Sequence, residues 1–130
     1  RKESSAASDV YKRQMVTRGL VELLEAGTNP VVMNTSSQLG SMVIGAMMPF
    51  DVAYNVSKAA VNMITVMSAS TNKNIAFVAL HPGWVKTDMG TEAAELEVPD
   101  AANAIVESLL GLTIEDTGRF IRWDGTDHPW

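Results

Sequence analysis

The 130-residue chain is predicted to be an α/β protein built on a parallel sheet. Two observations carry this reading. The runs VVMNT at 31–35 and IAFVAL at 75–80 are rich in apolar and β-branched residues without alternation, the pattern of strands covered on both faces. Segments of helical character lie before, between and after them, and helix alternating with strand calls for parallel neighbours joined by right-handed crossovers.

Taken in order, residues 1–14 (RKESSAASDVYKRQ) show no periodicity and carry four basic and two acidic side chains. This head is expected to be foreign to the fold and disordered or loosely placed, and it resembles translated adapter sequence ahead of a truncated reading frame. From Met15 the pattern changes. Val16, Leu20, Leu23 and Leu24 fall at helical spacing, and Gly27-Thr-Asn-Pro30 ends that helix. After the first strand and a Gly- and Met-rich loop, residues 53–69 contain no Gly or Pro and predict a helix. Its apolar face is read as Val56, Ala60, Met63 and Met67. The second strand stops at Pro82 and Gly83. Beyond Lys86 the loop charges are all acidic, and Asp88, Glu92, Glu95, Glu97 and Asp100 read as a solvated face. Pro99 opens a third helix over 100–112, with Ala104, Ile105, Ser108 and Leu109 inward. A third strand over 118–123 ends in a turn at Asp124-Gly125.

Composition removes several function classes. Hydrophobic residues make up 46% and charged residues 19%, which suits a buried core. A net charge of −5 with no basic stripe speaks against nucleic-acid binding. No cysteine is present, which excludes disulfides, thiolate metal sites and a cysteine nucleophile. His81 and His128 lack partners at ligand spacing, so no metal is expected. No apolar run reaches the ~18 residues of a membrane span, and a cytoplasmic protein without membrane contact is expected.

In an open parallel sheet, ligands sit beyond the carboxyl ends of the strands. Ser36-Ser37 closes the first strand and Pro82-Gly83 the second. Between them Tyr54 and Lys58 stand at i and i+4, on one helix face about one turn apart. A free phenol has a pKa of ~10, and a nearby cation favours its phenolate form. Such a pair can act as a general acid/base. The Ser37 hydroxyl, which donates or accepts, is suited to hold a substrate oxygen beside it. Taken singly, each motif is more often structural. A Tyr-x-x-x-Lys pair arises by chance on helix faces, and paired serines commonly make a strand-end turn.

Together, NTSSQLG at 34–40, YNVSKAA at 54–60 and HPGWVKTD at 81–88, in that order on those elements, resemble the short-chain dehydrogenase/reductase family. The likeness runs over 15–130 and is most detailed to its C-factor-like and sniffer-like carbonyl reductases. It implies the C-terminal half of a Rossmann-like doubly wound domain. It further implies Tyr54 as proton donor, Lys58 as its helper and ribose ligand, and Ser37 as orienter of the substrate oxygen. Pro82 and Gly83 would lie against the nicotinamide of NAD or NADP, with NADP favoured, and Thr87 would bond its carboxamide. The implied activity is reduction of a small carbonyl or oxidation of an alcohol, by a protein that forms homo-oligomers when full length. The family's glycine-rich turn and tetrad asparagine belong upstream of Met15, so this chain alone is expected to be inactive. A non-catalytic signalling or binding protein of the same fold, and an inactive truncated translation, are the alternatives. The methionines Met42, Met47 and Met48, with Phe50, line either a substrate pocket or ordinary packing. By resemblance, the acidic loop would be a mobile substrate cover.

Overall fold

The computed structural model describes the backbone of residues 5–48 and 51–130 and the side chains of 10–48 and 51–130. Three strands form one sheet in the order β1 (Val31–Thr35), β2 (Ala76–His81), β3 (Phe120–Arg122), and both pairings are parallel. Val32 faces Phe77, Thr35 faces Leu80, and Ala79 faces Phe120. Helices α1 (Ser5–Glu25), α3 (Val52–Thr71) and α4 (Val98–Gly111) accompany the sheet, and a one-turn α2 (Ile44–Met47) sits in the loop after β1.

Two apolar clusters lie on opposite faces of the sheet, as side-chain alternation along the strands requires. Val31, Met33, Val78, Leu80 and Ile121 meet Ile105 and Leu109 of α4. Val32, Ile75 and Phe77 meet Val21 and Leu24 of α1 and Ala69 of α3. Every residue of β2 is therefore buried. The fold is the expected α/β class with a Rossmann-like parallel sheet.

The elements match their predicted places with shifts at the ends. β3 is shorter than predicted, because Gly118 has a φ of +85° and the chain turns again at Gly125. The head expected to be foreign to the fold falls partly within the first helix. Residues 5–14 continue the first helix backward, and Ala6, Ala7, Lys12, Arg13 and Gln14 are good helix formers uninterrupted by Gly or Pro. Val10, Arg13 and Gln14 are half-buried and extend the row of Thr17, Val21 and Leu24 toward the sheet side. Residues 1–4 lie outside the described residues.

Of the apolar face predicted for α3, Val56, Met63 and Met67 point outward, 60%, 57% and 59% exposed, and Ala60 is half-buried. The buried residues are Ser57, Val61, Asn62, Thr65 and Ala69. Hydropathy misleads here because the inward polar groups find partners. Thr65 Oγ1 donates to the Val61 carbonyl at 2.9 Å and accepts from Asn34 Nδ2 at 3.1 Å. A buried polar group bonded in this way costs little, and it leaves the methionines free for the outer side.

The acidic loop is better anchored than expected. Its carboxylates are exposed. Ala94, however, is buried, Val85 bridges Leu96 in parallel, and the Trp84 indole N–H donates to the Gly90 carbonyl at 2.9 Å. Lys86 also pairs with Glu97.

Phe77, only 1% exposed, is the largest side chain of the cluster between the sheet and α1/α3. Phe77→Ala is expected to cost about 3–5 kcal/mol, and Leu23→Ala on an exposed position no more than about 0.5 kcal/mol. Urea unfolding of both variants checks the difference.

Candidate active site

The site grows from the carboxyl end of β1. Ser36 N donates to the Leu80 carbonyl at 2.7 Å, carrying the ladder one residue past the strand. Ser37 then caps a 3₁₀ turn over Gln38–Gly40, its Oγ accepting from Leu39 N at 3.2 Å. Both serines are buried. At the end of that turn the chain lies directly on α3. A Cβ on Gly40 would stand 2.6 Å from the Lys58 carbonyl carbon and 2.8 Å from its carbonyl oxygen, so only glycine fits.

Helix α3 starts at Asp51, whose carboxylate accepts from Tyr54 N at 3.1 Å as an N-cap. This fixes the first turn, which carries Tyr54. One turn later the Lys58 ammonium lies 5.5 Å from the centre of the Tyr54 ring. The spacing seen in the sequence thus does bring phenol and cation together. Both belong to the helix face that further along turns Val61, Thr65 and Ala69 to the sheet.

Pro82 and Gly83 follow β2, one strand over from the serines. Glycine is needed at 83 for reasons internal to the chain. Its φ is +84°, and a Cβ would run into the side chains of Leu96 and Trp123. Thr87 is exposed, and its hydroxyl serves its own turn, accepting from Gly90 N at 3.1 Å with the Val85 carbonyl 3.4 Å away. Tyr54, Lys58 and the serine turn are therefore joined by direct contacts. Thr87 is held within its own loop.

Three features escaped the sequence reading. Ser36 Oγ donates to Asn62 Oδ1 at 2.6 Å, with the Lys58 carbonyl oxygen 3.3 Å away, and Asn62 Nδ2 donates to the Gly40 carbonyl at 3.1 Å. The clue was a polar residue at i+4 from Lys58, continuing the row of Tyr54 and Lys58. The third feature is a strap from the end of the chain. Trp130 packs on Phe120, ring centres 5.2 Å apart, and its carbonyl accepts from Ser41 Oγ at 3.1 Å and Val43 N at 3.4 Å. Met42 flanks a small apolar cleft with Ala59, Met63, Val66 and Trp130. Met47 and Met48 are exposed, and Phe50 lies outside the described residues. Among the described residues there is no cluster of side chains able to hold a metal, and no helix is long and apolar enough to cross a membrane.

With this geometry in view, comparison with known proteins is decisive at the level of the family. The chain belongs to the short-chain dehydrogenases: the short chain dehydrogenase family matches residues 13–97. It is 38% identical over 122 residues to C-signal of Myxococcus xanthus, covering 88% of this chain and 70% of that protein. It is 35% identical over 131 residues to the short-chain dehydrogenase srdF of Neurospora crassa, covering 89% of this chain and 51% of the other. The carbonyl reductase Sniffer of D. melanogaster superposes with a TM-score of 0.80 at 32% identity, over 91% of this chain and 52% of that one. An NADPH-bound carbonyl reductase from chicken fatty liver gives a TM-score of 0.81 at 28% identity, with the same coverage. The chain thus spans 70% of C-signal and about half of each of the other three.

His81 ends β2 just before Pro82 and is 8% exposed. Its ring lies 5.4 Å from that of His128. Burial, then the neighbouring His128 and Arg122, push its pKa down from 6.5 to about 4. On acidification the unfolded chain takes up this proton first. The stability due to His81 is whole above pH 6.5 and is lost progressively as pH falls toward 4. In His81→Asn the urea midpoint should fall less steeply over this range than in the parent. Parallel curves would show that His81 is not the group responsible.

Proposed function

We propose that this chain is the catalytic part of an NAD(P)-dependent oxidoreductase that reduces a small carbonyl or oxidises the matching alcohol. The observation that carries this reading is the Tyr54 phenol beside the Lys58 ammonium, on the helix where the Ser37 turn is seated. Ser37 Oγ already accepts from Leu39 N, which leaves its proton free to donate to a substrate oxygen. Tyr54 gives the proton that neutralises the developing alkoxide. Lys58 stabilises the phenolate left behind.

The residues present fit a nicotinamide dinucleotide. Lys58 supplies a cation for the ribose hydroxyls, Thr87 an exposed hydroxyl for the carboxamide, and Pro82-Gly83 partly exposed backbone beside them. When bound, the cofactor supplies or accepts the hydride. NADP is favoured over NAD, since carbonyl reductases similar to this chain are described with NADPH or NADP bound. Turnover is read in protein that joins this chain to a dinucleotide-binding half, since the chain spans about half the length of the carbonyl reductases it resembles. We take it to act in the cytoplasm.

A second reading is favoured by the 38% identity to a protein named C-signal: a signalling protein that keeps the fold and does not depend on turnover. Tyr54→Phe separates the two. It is expected to abolish carbonyl reduction while leaving cofactor binding nearly intact, and Lys58→Met to damage both. Steady-state kinetics and calorimetry with NADPH check this. Near-normal turnover by the phenylalanine variant would refute the catalytic assignment.

The reading includes self-association. Val16, Leu20 and Leu23 of α1 and Val56, Met63 and Met67 of α3 form exposed apolar faces on helices that pack together. The joined protein is expected to be dimeric or larger by light scattering, and Val56→Lys with Met67→Lys to be monomeric. A monomeric parent would refute the assignment of these faces.

A further inference from the structure

We propose that Asn62 is the positioning residue that holds the Ser37 turn in register with Tyr54 and Lys58, an inference that rests on the catalytic reading of those three residues. Asn62 is 5% exposed, and both ends of its amide are used. Oδ1 accepts from Ser36 Oγ at 2.6 Å, and Nδ2 donates to the Gly40 carbonyl at 3.1 Å. The two partners flank Ser37, one residue before it and three after. Within that span Gly40 N donates to the Ser37 carbonyl at 2.9 Å and Leu39 N to Ser37 Oγ at 3.2 Å. Ser37 thus sits in a closed turn whose two ends are both bonded to one side chain of α3.

That side chain is built into the same ruler as the acid/base pair. Tyr54, Lys58 and Asn62 stand at i, i+4 and i+8, and a rise of about 1.5 Å per residue places them about 6 Å apart along the axis. The contact of Gly40 with the Lys58 backbone sets how closely the turn approaches the helix. Contact alone leaves the turn able to slide along the groove. The amide of Asn62, directional at both ends, removes that freedom. An apolar side chain here would leave the Gly40 carbonyl without this donor and Ser36 Oγ with the Lys58 carbonyl alone, so asparagine serves stability as well as register, and the test needs a readout that separates the two. A shift of about 1 Å in a group that holds substrate is enough to cost rate heavily.

The test has two arms. In the 130-residue chain, Asn62→Ala should speed exchange of the Leu39, Gly40 and Ser41 amides by about tenfold or more, leaving the Ala79 and Leu80 amides protected. In protein joining this chain to a dinucleotide-binding half, the same change should lower kcat by about tenfold with the cofactor dissociation constant within about twofold. Asn62→Asp, which keeps the acceptor for Ser36 and loses the donor to Gly40, should also lower kcat. Ser36→Ala removes the other branch and carries the test if Asn62→Ala does not fold. It should lower kcat, and where Asn62→Ala folds, the double variant should be no slower than Asn62→Ala alone. A kcat within about twofold of the parent in a folded Asn62→Ala, or in Ser36→Ala if the former does not fold, overturns the proposal while Tyr54→Phe remains inactive. Turnover retained by Tyr54→Phe overturns the underlying catalytic reading, and the proposal with it.

Discussion

The burial of β2 on both faces and both edges is the constraint on which the rest of the molecule depends. Six consecutive residues, Ala76–His81, are shut away from water, so their backbone groups must be met by strands on either side and their side chains by helices above and below. β1 and β3 meet the first need and α1, α3 and α4 the second. Parallel pairing then has a chemical consequence. The ends of β1 and β2 come out on the same side, and the hydrogen bond from Ser36 N to the Leu80 carbonyl holds Ser36-Ser37 beside His81-Pro82-Gly83. A sheet stable for reasons of burial therefore brings the polar motifs to one edge.

Helix α3 joins the two roles. Along the face directed to the sheet it changes character. Beyond the sheet edge that face carries Tyr54 and Lys58, and over the sheet it carries Val61, Asn62, Thr65 and Ala69. Two of its buried polar groups are bonded to the strand and turn that lead into the serines, with Thr65 meeting Asn34 and Asn62 meeting Ser36. The helix is thus locked in azimuth by directional bonds, where apolar packing alone would tolerate rotation. The outward Val56, Met63 and Met67 are left as an apolar surface, which is unusual on a face that meets only water.

The end of the chain closes the arrangement from the other side. After β3 it reverses at Gly125 and returns antiparallel, with His128 N donating to the Phe120 carbonyl and Asp127 bridging Ile121. It stacks His128 against His81 and finishes on Ser41 and Val43. The loop that follows the serines is consequently tied down at Gly40 by α3 and at Ser41–Val43 by Trp130. The burial that keeps His81 neutral at ordinary pH is part of the same closure.

What the sequence by itself determined was everything governed by short spacing. The order of helices and strands, the strand ends at the serines and at Pro82-Gly83, and the closeness of Tyr54 and Lys58 follow from periods of 3.6 and 2 and from turn chemistry. The family was legible for the same reason, since its motifs are short and ordered. Tertiary structure alone decided which face of α3 turns inward, because hydropathy cannot anticipate that Ser36, Asn34 and Gly40 will satisfy Asn62 and Thr65 from 22 to 31 residues away. It also decided that Gly83 is required by Leu96 and Trp123, and that Trp130 reaches the serine loop. Each of these turns on partners far along the chain, and burial, which sets their strength, exists only once the layers have come together.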